Sequence, residues 1–116
     1  VHKNVNSLIE YMDWVKEDVG FYALHQANEF MVNYVRKKLK VAAEVAPANC
    51  KDYGNTGPAT IPFLLSDVCS QKQYDLKKTI MCGFGWGCLG VVSLLTFLKQ
   101  NSMNQLINKT LCRLKY

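Results

Sequence analysis

Histidine, proline and tryptophan are scarce in this 116-residue chain, with two, three and two copies, and cysteine is present in an odd number, five. Each shortage excludes something. Cys50, Cys69, Cys82, Cys88 and Cys112 include no CxxC pair, so neither a zinc site nor a disulfide framework is expected. We expect no bound metal and a reducing, cytoplasmic setting. In that setting the Asn108-Lys109-Thr110 sequon carries no glycan. The longest apolar stretch, Cys88 to Leu98, is shorter than the roughly 20 residues a membrane helix needs, and no signal peptide is legible, so no membrane association is expected. Fourteen Lys and Arg against nine Asp and Glu give +5, spread too thinly for a nucleic-acid surface but compatible with an acidic partner. The chain starts at Val1, not methionine, and is read as a piece of something longer. No internal repeat or low-complexity segment is present.

What remains is apolar: 49% of the residues, enough for one small core. Ser7 and Glu10 have the spacing of a capping box, and Leu8, Met12, Val15 and Val19 follow at helical intervals, which predicts a helix from about Ser7 to Asp18. Phe21 to Leu24 is a short apolar run behind Gly20 and predicts a buried strand ending at His25. Ala27, Phe30, Met31, Tyr34 and Val35 form the stripe of a second helix, with Arg36, Lys37, Lys38 and Lys40 at its C-terminal end, where the macrodipole favours cations. Ala42 to Asn49 reads as connection and Lys51 to Pro58 as a reversing loop. A third helix is expected from Thr56 to about Ser70, its start blurred by Pro62. Thr79 to Cys82 and Cys88 to Phe97 read as two strands around a tight glycine turn, Gly83 to Gly87, forming a central hairpin.

This order predicts an α/β fold with helices packed on both faces of a small mixed sheet. Three strands are few for a sheet buried on both sides, so a partner is expected to complete it. The domain is placed at 1–97; residues 98–116 are a tail whose Met103, Leu106, Ile107, Leu111 and Leu114 mark an amphipathic helix.

Two residues stand out chemically. His25 follows a buried strand, where α/β sheets present side chains to ligands, although a histidine there also serves as an ordinary hydrogen-bonded structural group. Asn55 lies between Gly54 and Gly57, which let the backbone come close, although asparagine is also a common turn former.

Taken together, "HQAN" (His25 to Asn28), "YGNTGPATIP" (Tyr53 to Pro62) and "CGFGWG" (Cys82 to Gly87) resemble the C-terminal half of 3-oxoacyl-acyl-carrier-protein synthase III enzymes, of the thiolase superfamily, over about Asp18 to Phe97. The resemblance implies a Cys-His-Asn mechanism in which the cysteine carries an acyl thioester and His25 and Asn55 hold the enolate formed when malonyl-carrier protein loses CO2. It implies that Phe84, Gly85 and Gly87 line the acyl-thioester site. It implies acyl-carrier protein and the N-terminal half as partners, substrates carried on acyl-carrier protein or coenzyme A, and no further cofactor. Carrier contact then falls to Arg36, Lys37, Lys38 and Lys40, because Phe30 stands where many members have an arginine. The nucleophilic cysteine belongs to the other half, and none of the five cysteines here has its context. Trp86 stands where a small residue is common, and Cys88 to Val91 depart from the usual continuation of the turn. The expected function is therefore the donor half of a condensing enzyme, inactive alone. The alternatives are a non-catalytic subunit that completes or regulates a partner carrying the cysteine, and a truncated product that merely folds. A homodimer or larger assembly is expected for the isolated chain.

Overall fold

A computed structural model describes residues 1–69, 71, 73–85 and, for the backbone, 91–95. Its elements are α1 (His2–Tyr11), β1 (Phe21–Leu24), α2 (Glu29–Leu39), α3 (Cys50–Tyr53), α4 (Thr60–Cys69), β2 (Thr79–Gly83) and β3 (Val91–Leu95), with single 3-10 turns at Lys16–Asp18 and Gly57–Ala59.

The sheet order is β1-β2-β3. β1 runs parallel to β2, with Phe21 opposite Thr79 and Leu24 opposite Cys82, while β3 is antiparallel, with Ser93 opposite Met81. The sheet is therefore mixed, and β2 is its middle strand. All four residues of β1 are buried. Alternation divides them between two layers, as the pleat requires. Tyr22 and Leu24 face Val5 and Ile9 of α1 and Val32, Val35 and Leu39 of α2. Phe21 and Ala23 face Leu64 and Val68 of α4. Helices thus cover both faces, as the apolar run predicts.

Two expectations are corrected. The first helix begins at His2, and Ser7 is an exposed residue within it, not a cap. It ends at Tyr11 because Asp13 takes a left-handed conformation (φ 55°), which lets the Trp14 amide bond the Ile9 carbonyl at 3.0 Å and the Asp13 amide bond that of Glu10 at 3.0 Å. These two bonds terminate a helix in the manner usually given to glycine. Lys40 (φ 57°) closes α2 in the same way, with the Val41 amide on the Arg36 carbonyl at 3.1 Å. The second correction is α3, a single helical turn inside the segment expected to be loop.

Other boundaries agree closely. α2 starts where Asn28 Oδ1 accepts the Met31 amide at 2.8 Å, which makes the last residue of HQAN a helix cap. Pro62 sits in the first turn of α4, where a missing N–H costs nothing. Residues 86–90 of the glycine turn, and the tail 98–116, lie outside the described residues. Among the described residues no helix is long and apolar enough to cross a membrane.

Candidate functional site

β1 delivers His25 to the edge of the core. Its backbone N–H donates to the Cys82 carbonyl at 2.8 Å, extending the parallel ladder one residue beyond the strand. The backbone at His25 is therefore fixed by β2. Its imidazole is held on two sides. Nδ1 lies 2.5 Å from the Thr60 hydroxyl, and Phe84 meets the ring edge-on, centroids 5.2 Å apart at 87°. Thr60 opens α4 and is 2% exposed, so its hydroxyl has nowhere to turn but inward. Burial disfavours the charged ring and lowers the His25 pKa from 6.5, which keeps the imidazole neutral near pH 7.

The Asn55 loop connects α3 to the start of α4. Gly54 (φ 66°) and Gly57 (φ 62°) both occupy backbone that side chains resist, and Asn55 Oδ1 accepts the Gly57 amide at 3.0 Å. That bond orients the carboxamide: its oxygen is turned into the loop, so the Nδ2 hydrogens are its outward-facing donors. Asn55 itself is exposed. The loop runs through the Gly57–Ala59 turn directly into Thr60, whose hydroxyl meets His25.

The other candidates are distributed as follows. Phe84 packs on His25, and with Gly85 it also lines a cleft of about 260 Å³ whose far wall is Met31, Tyr34, Val35 and Lys38 of α2. Gly87 lies outside the described residues. Arg36 is turned inward: Nε donates to the Ala46 carbonyl at 2.6 Å and one terminal nitrogen to Asn33 Oδ1 at 2.7 Å, fastening the following connection to α2. Lys37, Lys38 and Lys40 are exposed. Phe30, in the first turn of α2, is 75% exposed, and Tyr34, 49% exposed, lies under the Lys38 ammonium. Burial raises the Cys82 thiol to about 11, so it stays protonated and is a poor nucleophile. No metal-binding cluster occurs among the described residues.

Thr60 and Gln26 were not singled out from the sequence. Thr60 reads there only as part of a helix. Gln26 reads as part of a motif, yet it is a 1% exposed bracket: Nε2 donates to the Leu24 carbonyl at 2.8 Å, and Oε1 accepts the Asn49 amide at 3.0 Å. Its neighbour His25 is thereby joined to the segment that leads to Asn55.

A sheet covered by helices on both faces, with a histidine at the end of its parallel strand and an asparagine loop entering α4, has the architecture of part of a thiolase-like domain. Residues 9–97 match the model of the 3-oxoacyl-[acyl-carrier-protein] synthase III C-terminal domain, and the chain belongs to that family. It is 36% identical over 96 residues to the beta-ketoacyl-[acyl-carrier-protein] synthase III of Streptococcus gordonii, a match covering 77% of this chain and 30% of that one. With the Streptococcus sanguinis enzyme of the same name the identity is 41%, covering 77% and 30%. The solved 3-oxoacyl-(acyl carrier protein) synthase III of Pseudomonas aeruginosa PAO1 superposes with a TM-score of 0.76 at 26% identity, over 84% of this chain and 31% of that one. The chain thus spans about 30% of the length of the curated relatives it matches.

Proposed function

We propose that this chain is the donor half of a decarboxylating condensing enzyme, and that His25 and Asn55 together bind one thioester oxygen. The observation that carries the reading is the bond between His25 Nδ1 and Thr60. In this reading the Thr60 hydroxyl donates to Nδ1, so that the neutral ring carries its proton on Nε2 and can donate it. Asn55, its oxygen occupied by Gly57, offers Nδ2–H.

The chemistry follows from that pair. When a malonyl thioester loses CO2, the electrons of the broken C–C bond pass into the thioester and leave negative charge on its oxygen. Two neutral donors aimed at that oxygen stabilise the charge as it develops and need no reorganisation. The resulting carbanion attacks an acyl thioester, forming a C–C bond and expelling a thiolate. The acyl group requires a cysteine from a complementary N-terminal half, since Cys82 is buried and protonated. Phe84 and Gly85 flank the acyl-thioester position. Lys37, Lys38 and Lys40 offer positive charge to an acidic carrier protein, while Arg36 holds the helix that displays them.

The test is complementation. Mixed with an N-terminal half from a relative, the chain is expected to support malonyl-carrier-protein decarboxylation, and His25→Ala or Asn55→Ala to lower its rate about 10²- to 10³-fold, the cost of one oxyanion donor. The urea midpoint of Asn55→Ala should stay near that of the parent, while His25→Ala, which takes away the partner of the buried Thr60 hydroxyl, should lower it by about 1–3 kcal/mol of stability. Undiminished decarboxylation by both variants would overturn the reading and favour a non-catalytic subunit, to which the burial of Cys82 is equally congenial.

A further inference from the structure

The loop that carries Asn55 has little to lean on. It leaves α3 at Gly54 and enters the Gly57–Ala59 turn, and a Cβ placed on either Gly54 or Gly57 would meet nothing within 4 Å. Residues 54–56 are all exposed. Packing therefore does not hold the carboxamide; its position depends on how the two ends of the loop are tied.

Both ends are tied to α4. Downstream, Thr60 is the first residue of that helix and touches His25. Upstream, the Tyr53 hydroxyl donates to Asp67 Oδ1 at 2.9 Å, and Asn49 Nδ2 donates to Asp67 Oδ2 at 2.7 Å, so one carboxylate grips both ends of α3. The Tyr53 ring stacks on Phe63 of the same helix, centroids 5.3 Å apart at 18°. Asp67 lies two helical turns beyond Thr60, and that interval places both on one face of α4, roughly 10 Å apart along its axis. Asn49 is in turn fastened to Gln26, the neighbour of His25.

We propose that Asp67 and Tyr53 are positioning residues for the Asn55 carboxamide. The face of α4 works as a rigid gauge: Thr60 sets the imidazole at one end, and Asp67, through Tyr53, sets where the asparagine loop begins at the other. The catalytic part of the proposal rests on the donor-pair reading above; the positional part does not. A conformationally open loop spreads its donor over many positions, and loss of near-attack geometry of this kind is expensive in rate.

The experiment uses the full chain, isotopically labelled for NMR, as the parent, Tyr53→Phe and Asp67→Asn. Tyr53 is 45% exposed, and its phenylalanine variant keeps the Phe63 stack, so the fold survives the change. In both variants the Asn55 side-chain amide and Gly57 backbone amide resonances are expected to move toward their free-peptide positions, while the amides of Phe21–Leu24 and Thr79–Gly83 stay fixed. Restoring the carboxylate by Asp67→Glu should return part of the shift. Asn55 and Gly57 resonances that stay put in both Tyr53→Phe and Asp67→Asn would overturn the proposal. Complemented with the N-terminal half, Tyr53→Phe should lower kcat for decarboxylation about tenfold at unchanged KM, less than removal of the donor itself. If the resonances move and Asn55→Ala leaves decarboxylation intact, the positioning stands and the donor-pair reading falls.

Discussion

At His25 a single side chain is held by Thr60 and Phe84, and its titration bears on the stability of the fold. Burial lowers its pKa in the folded chain below the ordinary 6.5, so between those two values the unfolded chain binds more protons. Stability is fully present above about pH 6.5 and declines as the pH falls through that window. The urea midpoint is expected to drop between pH 7 and pH 5, and His25→Gln to flatten that drop; parallel curves for the two proteins would contradict it. The place of His25 at the end of a buried strand was legible in the sequence from the apolar run Phe21 to Leu24. Its tautomer was not, because that depends on Thr60, a residue that only the fold brings to the imidazole. Asp67 was less legible still: a lone carboxylate in a helix gives no sign that it grips Asn49 and Tyr53.

Among the elements, β1, α2 and α4 could be read from the chain because their signals are local: a run of apolar residues behind a glycine, a stripe ending in cations, a proline in a first turn. α1 was misplaced because the Ser7–Glu10 box resembles a start, and because an aspartate, not a glycine, takes the left-handed turn that ends the helix. α3 escaped because Gly and Asn dominate its surroundings and its single turn is held by Asp67. The junction into β1 is a different matter. Gly20 donates to the Lys78 carbonyl at 3.1 Å, and a Cβ there would stand 2.2 Å from the Asp75 carbonyl oxygen. Gly20→Ala must therefore push β1 away from the segment entering β2. It should cost about 1–3 kcal/mol, the usual price of overpacking, read as a lower urea midpoint at unchanged slope. An unchanged midpoint would show that the segment 73–78 yields freely.

At the scale of the whole molecule, a sheet whose β1 is buried on both faces and whose described strands number three is small for the helices that cover it. The chain spans about 30% of the length of its curated relatives, and α2 exposes Phe30 and Tyr34 as well as Lys37 and Lys38. We propose that the isolated chain self-associates until the complementary half is supplied. Light scattering is expected to give a dimer or larger species that becomes a one-to-one complex on mixing; a monomer at tens of micromolar would count against this.

The pairing of β1 with β2 also orders events in time. Strands so far apart along the chain meet late, after the intervening helices have collapsed, because long loops close slowly. His25 is synthesised before the carbonyl of Cys82 that receives its amide. A nascent chain that stalls before Thr79, or a protease that cuts there, leaves an imidazole with no anchored backbone beneath it. The corner around His25 is thus completed only once β2 has been made and has paired with β1.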